Sequence, residues 1–480
     1  MRDDPRDDPL SDVELQWRVR RATILQIAGR AASWLLALGV VAVVARRLGP
    51  VGFGQYSLAT ILASVLATFA DLGLGVVGLR EATRRPSDAR FLAGVIRYKI
   101  LVQTVCFAAL APLLMVVTRP NILAVAVGVA CLSMWLTMAL AAVGLPVQRE
   151  IRFGAIAAAD VVGRVVQLAA VVLVGSVGGG LLAMVGAGLA VPLAGLAIVA
   201  PAARRRLCSW RGRLHSAERR ALVRAGLPLA VLTVLGLFHF KLDSILLAWL
   251  RPANDLGMYS ADYRIIEMIL TVPQLLVAAL FPVLARKHGS DLTRWVRVAF
   301  AWSWKLALPS LALVFIYAKP IVVLTAGSAF EPAAPALRVL VLATFFAWIN
   351  VLIAQVAVVI NAQSRVLVAS VVGIVLNAGM NLLVIPRWGY FGAAWTTVVS
   401  EAVGFLMVLV ITCRAWGSRI DLRPMGAAVL ATGTFVVIVT RIPSVVGQAA
   451  LVVVAGVSTV CMMRRSFSRS RSGQGLLRGS

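Results

Sequence analysis

The chain has 480 residues, of which 60% are hydrophobic and only 14% charged; its mean hydropathy is +0.90 and its formal net charge +27. A soluble domain carries about a quarter charged residues, so the apolar excess here must face lipid, which excludes a soluble enzyme or a soluble binding module. The basic excess is not a nucleic-acid footprint: most of the 47 Lys and Arg fall between apolar runs on alternate loops, as topology signals and contacts for lipid headgroups do, and no aromatic-interleaved patch offers base stacking.

Residues 1–22 form a polar head, "MRDDPRDDPLSDVELQWRVRR" up to Arg21. It is too acidic and too long for a signal peptide, and no small-residue cleavage site closes the run behind it. Ser11 and Glu14 have the spacing of a capping box for a short amphipathic helix on the membrane surface, and a frayed tail fits equally well. Fourteen apolar runs then follow, at 23–45, 54–79, 100–118, 121–145, 157–175, 179–201, 226–250, 260–285, 299–318, 337–361, 366–386, 389–413, 425–441 and 445–463. Most approach the roughly 20 apolar residues a spanning helix needs. They are continuous rather than ten-residue alternating segments, which argues against a β-barrel. The intervening loops are short, with no room for a water-soluble domain.

One connection occurs twice. "LGPVGFGQYS" (48–57) joins runs one and two, and "LRPANDLGMYS" (250–260) joins runs seven and eight. Six runs lie between, an even number, so both copies fall on the same face in the same orientation. This predicts two parallel six-helix lobes, 23–201 and 226–413, related by a pseudo-two-fold axis along the membrane normal. A basic cytoplasmic connector (202–225) separates them. Two further helices occupy 414–463, and a basic cytoplasmic tail fills 464–480. Within each copy, Pro50 and Pro252 are expected to end the preceding helix. Gly54 and Gly257 are expected to allow a tight turn, and Tyr56 and Tyr259 to sit at headgroup level. Basic clusters at 18–21, 84–99, 204–224, 286–297 and 464–478 then lie on the cytoplasmic side, with both termini.

Motifs for catalysis or metal binding are lacking. The five cysteines are unpaired in sequence and have no histidine at ligand spacing, so neither a disulfide framework nor a metal site is expected, and no cofactor. "GLGVVG" (73–78) matches a dinucleotide fingerprint, but inside an apolar run it reads as small residues for close helix packing.

Intramembrane charge carries more information, since a charged side chain at a helix centre costs about 2.5–3.5 kcal/mol even on lenient insertion scales. Asp160 and Arg164 are four apart and can pair, as a structural bridge or as part of a site. Lys241 and Asp243 are two apart, about 200° around a helix, so only one can face a given cavity. Asp262 and Arg264 lie near enough to an interface to snorkel. Arg30, Lys241 and Arg264 are candidates for a cationic cavity that takes phosphate, and Asp71 and Asp243 for coupling to an ion. Asn350, Gln355, Asn377 and Asn381 either bind helices together or line a polar path.

Several stretches together carry a resemblance. They are "RRLGPVGFGQYSLA" (46–59), "DLGLG" (71–75), "LRE" (79–81), "LVRAGLPLAV" (222–231), "KLDSILLAWLRPANDLGMYSADYRI" (241–265) with "VPQLLVAALFPVLAR" behind it, and "NLLVIPRWGYFGAAWTTVVSE" (381–401). In this order the chain resembles the Wzx-type oligosaccharide flippases, polysaccharide biosynthesis proteins of the multidrug/oligosaccharidyl-lipid/polysaccharide exporter superfamily. The resemblance covers nearly the whole chain. It implies a fourteen-helix inner-membrane transporter, not an enzyme, with two lobes around a central cavity. It further implies a polyprenyl-diphosphate-linked oligosaccharide as substrate, moved from inner to outer leaflet by alternating access. Membrane lipids and the polysaccharide assembly machinery are the implied partners, with no nucleic acid. A lipid II flippase and a drug or cation antiporter are the alternatives within the superfamily. The first would favour several arginines in run one, where this chain has only Arg30, and the second a carboxylate-dominated cavity. A membrane glycosyltransferase is disfavoured by the short outside loops.

Overall fold

A computed structural model describes residues 12–85, 88–118, 121–150, 153–205, 212–286, 289–417 and 423–441. Among these residues every element is helical. Among the described residues, nine helices are long and apolar enough to cross a membrane. Two of them, Gly29–Arg84 and Gln363–Trp416, have 56 and 54 residues, or about 80 Å of helix. That is far more than the roughly 30 Å of a bilayer core, so each holds two of the expected runs end to end. Runs one to thirteen all fall on helical elements, with run two divided between two successive helices and run six among shorter pieces. Run fourteen and the basic tail lie outside the described residues, as do Ser11, Cys208 and Cys461.

Contacts divide the chain into two compact units. The first comprises Met1–Ala248, Pro252–Gly257 and Thr325–Ala329; the second comprises Trp249–Arg251, Met258–Leu324 and the chain from Phe330. The first unit is built from α1 (Asp12–Asp71), α2 (Leu74–Arg84), α3 (Ala89–Val117), α4 (Ile122–Val143), α5 (Leu145–Arg149), α6 (Phe153–Ser176), α7 (Leu181–Gly186), α8 (Ala190–Arg204) and most of α9 (Ser216–Leu250). Helix α1 starts at Asp12 and runs on without interruption to Gly49, so 12–22 is no separate surface helix. At Gly49 (φ 65°) the helix kinks, and Pro50 opens the next segment, where its missing N–H costs nothing. Beyond the kink, Ala59, Ala63, Leu66, Ala67 and Ala70 form a buried stripe that packs with Ala126, Val127, Ala130 and Cys131 of α4. Small side chains let these backbones approach, which is how helices associate where lipid offers no hydrophobic driving force.

The repeated connection is not built as its spacing suggests. Gly54 and Gly257 lie inside helices and have no positive φ. Each is instead a point of backbone contact with the other copy. A Cβ on Gly54 would lie 1.9 Å from the Ala253 carbonyl oxygen, and one on Gly257 would lie 2.0 Å from the Pro50 carbonyl oxygen. Pro50 precedes Gly54 by four residues as Ala253 precedes Gly257, so the contact is reciprocal. Tyr259 of the second copy is fully buried and faces protein, stacked on Tyr263 at 5.6 Å with its hydroxyl 3.3 Å from Thr397 Oγ1.

The expected second lobe opens at residue 226, yet α9 belongs to the first unit as far as Ala248. The physical reason is a second glycine crossing. Run two breaks at Leu72 (φ 47°) and Gly73 (φ 66°), between α1 and α2. Gly226 of α9 presses on this break so closely that a Cβ there would lie 2.4 Å from the Leu72 carbonyl oxygen. Phe238 adds an edge contact to Phe69, and Glu218 an ion pair to Arg85 at 3.1 Å. The small-residue reading of 73–78 is therefore apt, although the helix is interrupted there.

In the second unit, α10 (Ala253–Leu284) from Met258 on, α11 (Gly289–Ile316), α12 (Ala318–Ala326) as far as Leu324, α13 (Ala334–Val359), α14 (Gln363–Trp416) and α15 (Arg423–Thr440) follow in order. Helix α14 carries runs eleven and twelve, kinked at Gly389 (φ 56°). Its core joins Val296, Phe300 and Trp304 of α11 to Ile349, Leu352 and Val356 of α13 and Phe405 of α14. The buried Trp348 indole donates to Ser303 Oγ at 2.7 Å.

Candidate functional site

One arrangement of bonded polar groups stands out in each unit. In the first unit the centre is the break in run two. Asp71 is the last residue of α1, where unpaired helix carbonyls already hold partial negative charge. Lys99 of α3 reaches it, Nζ to Asp71 Oδ1 at 2.7 Å, with the lysine side chain 6% exposed and the aspartate 35%. The lysine head fits because residue 75 is glycine: a Cβ there would come within 2.6 Å of Lys99 Nζ. By position Lys99 belongs to a basic loop cluster, and its role here was not foreseen. Nothing in the sequence pairs it with a residue 28 positions earlier on another helix.

The other expected residues of this unit lie on α1, α6 and α9. Arg30 is exposed on α1. On α9, Asp243 is buried and Lys241 half-buried, as two faces 200° apart require. Arg164 donates to Gln167 Oε1 at 2.9 Å, three residues on, in place of the expected Asp160, which is exposed.

In the second unit the two asparagines of α14 come together as expected, in a wider network. Asn381 Nδ2 donates to Asn377 Oδ1 at 3.0 Å, and Asn377 Nδ2 donates to Ser400 Oγ at 3.1 Å. Thr396 Oγ1 donates to Asn381 Oδ1. All four residues are buried. The kink at Gly389 folds the helix so that 396 and 400 face 377 and 381. Asn350 and Gln355 of α13 are not part of this chain of bonds, and Asn350 Oδ1 is buried without a hydrogen-bond partner among the described residues.

Arg264 is paired along its own helix, Nη1 to Glu267 Oε2 at 3.1 Å, and its side chain is 42% exposed. Asp262 does not snorkel. It is fully buried, and neither carboxylate oxygen has a hydrogen-bond partner among the described residues. The 200° argument used for 241 and 243 applies equally to 262 and 264: with Arg264 turned outward, Asp262 must turn inward.

Comparisons with known proteins agree with this fold. The profile of a family described as "Polysaccharide biosynthesis protein" matches residues 43–335. Two curated proteins of Haloferax volcanii match parts of the chain. "Probable low-salt glycan biosynthesis flippase Agl15" is 22% identical over 176 residues, 36% of this chain and 37% of that protein. "Probable flippase AglR" is 24% identical over 243 residues, 47% and 50% of the two chains. The chain thus spans half or less of the curated relatives it matches. Among solved structures, "Lipid II flippase MurJ, inward closed conformation" superposes with a TM-score of 0.75 at 12% identity, covering 92% of this chain and 99% of that one. An inward-facing multidrug resistance MATE family transporter of the MOP superfamily gives a TM-score of 0.61 at 16% identity, with 80% and 94% covered. At such identities the likeness is one of fold. With a family match over more than half its length and a multi-pass helical membrane fold that agrees with it, the chain belongs to the polysaccharide biosynthesis protein family.

Proposed function

We propose that this protein is a flippase for polyprenyl-diphosphate-linked oligosaccharide, carrying it from the inner to the outer leaflet of the cytoplasmic membrane by alternating access of two lobes. Both termini are then cytoplasmic, and the partners are membrane lipids and the polysaccharide assembly machinery. The observation that carries this reading is the family match over residues 43–335 on a membrane fold with buried ionisable side chains. Two Haloferax relatives are themselves described as flippases, one of them in glycan biosynthesis. A diphosphate-sugar head cannot cross about 30 Å of hydrocarbon unaided, so cations must offset its burial while the lipid tail stays in the bilayer.

Arg30, Lys241 and Arg264 are the proposed cations for the diphosphate. Asp71 and Asp243 are the two carboxylates proposed for ion coupling, and Asp71 would have to exchange Lys99 for the ion. The bonded amides and hydroxyls around Asn377 and Asn381 are proposed to line the polar path. Chemistry on the substrate is not part of this reading.

A second reading, lipid II as the cargo, is favoured by the high fold likeness to the lipid II flippase. One experiment separates the readings. Polyprenyl-linked glycans are extracted from a strain lacking the gene and identified by mass spectrometry, with surface polysaccharide assayed in parallel. Accumulation of a completed lipid-linked oligosaccharide with loss of one surface polymer supports the proposal and names the cargo. Accumulation of lipid II supports the second reading. An unchanged lipid pool with altered drug or cation tolerance defeats both and points to an antiporter.

A further inference from the structure

A cavity of about 710 Å³ opens in the first unit beside α2, apart from Arg30, Lys241 and Asp243. Asp71 and Lys99 line it, Val76, Arg80 and Arg84 border it along α2, and Gln148 of α5 adds a neutral amide. Helix α2 is amphipathic. Leu74, Val77, Gly78 and Ala82 are buried on one face. Val76, Arg80 and Arg84, four apart, share the other, and all three are exposed. From Val76 to Arg84 this face climbs about 12 Å, passing from an aliphatic side chain that is 63% exposed to two guanidinium groups. That gradient matches the boundary between acyl chains and headgroups.

The charge at the cavity is not balanced. Arg80 Nη2 and Arg84 Nη1 approach the same oxygen, Glu81 Oε1, at 3.2 and 3.4 Å, and Lys99 is matched by Asp71. Three cations thus meet two carboxylates. The arginine side chains are 55% and 67% exposed, and each fork keeps donors beyond those given to Glu81. The absent side chain at Gly75 leaves room behind them for the lysine head.

We propose that this cavity binds the phosphate headgroup of an anionic phospholipid of the surrounding bilayer. Arg80 and Arg84 grip the phosphate, Lys99 lies behind it, and an acyl chain runs along Val76. The ligand chemistry is that of a phosphate group. The exposed aliphatic end of the same helix face favours a lipid over a soluble anion as its source. The site is separate from the proposed glycan site, and it stands or falls independently of that function.

The test uses the full-length protein purified in an uncharged detergent. Binding is read by native mass spectrometry and by the shift in melting temperature, with phosphatidylglycerol, phosphatidylcholine and inorganic phosphate as probes. The expected result is a rise in melting temperature with phosphatidylglycerol alone. Affinity for it should fall about tenfold in the R80Q/R84Q variant, the loss expected for charge-assisted contacts. That variant is expected to fold, because exposed ion pairs contribute little to stability. Glu81→Gln, which removes the shared competitor, should tighten binding. Equal responses to phosphatidylcholine, or unchanged phosphatidylglycerol affinity in folded R80Q/R84Q, would overturn the site. A full response to inorganic phosphate alone would overturn the lipid assignment in favour of a soluble anion.

Discussion

The most connected polar arrangements of the two units are built by opposite means. The first pairs full charges: Lys99 and Asp71 meet at 2.7 Å where run two breaks. The second chains neutral groups: Thr396, Asn381, Asn377 and Ser400 each satisfy the next across the kink at Gly389. A buried ion pair suffers heavily when one member is removed, because the survivor is an unpaired charge. A chain of amides and hydroxyls loses less per member, since what remains is a neutral group short of one bond. Asp262 follows neither rule, as a buried carboxylate without a hydrogen-bond partner among the described residues. A structural residue has no reason to be such a group, which makes it a residue to test for transport.

The largest expected effect comes from splitting the ion pair. Lys99→Met should destabilise the protein by about 3 kcal/mol, the low end for a broken buried pair because the surviving Asp71 is 35% exposed, whereas Lys99→Met with Asp71→Leu should recover most of that loss. Thermal unfolding of the purified protein in detergent checks the cycle, and a double variant as unstable as the single one would show that the pair is not the cause. Next is the neutral network. Asn381→Leu leaves both Thr396 and Asn377 short of a partner and should cost about 2–3 kcal/mol by the same measurement. A loss as large as that of Lys99→Met would erase the distinction between the units. Asp262→Asn keeps the shape and replaces the ionisable carboxyl by a neutral amide, so melting should stay within about 1 kcal/mol of the parent or improve. Surface polymer level then decides whether the carboxylate serves transport: a stable, fully active variant would leave Asp262 no part in it. The smallest effect on folding should be that of Arg264→Gln, under about 1 kcal/mol for a partly exposed pair within one helix. If Arg264 binds substrate, surface polymer falls although stability does not.

Legibility from the sequence followed the range of the interaction. Apolar runs one to thirteen were readable because burial in lipid imposes a local rule of length and hydropathy, and all fell on helical elements, although the breaks inside runs two and six were not readable. The i, i+4 spacing of Asn377 and Asn381 was readable for the same reason, since one helix turn decides it. Asp262 was legible but misread: its two-residue offset from Arg264 already required one of them to face inward. Thr396 and Ser400 were not legible, because a backbone kink at Gly389 brings them to the asparagines.

The sequence by itself therefore determined the solvent, the secondary structure, the duplicated connection and the family. The tertiary structure alone decided that Gly54 and Gly257 are contact points between the two copies and not turn residues. It alone decided that α9 packs with the first unit through Gly226, and that Lys99 is a buried partner of Asp71 and not a loop cation. The physical reason is common to all three. A glycine records only that a side chain is absent, and a lysine only that a charge is present. What approaches the one or neutralises the other is set by a helix distant in sequence.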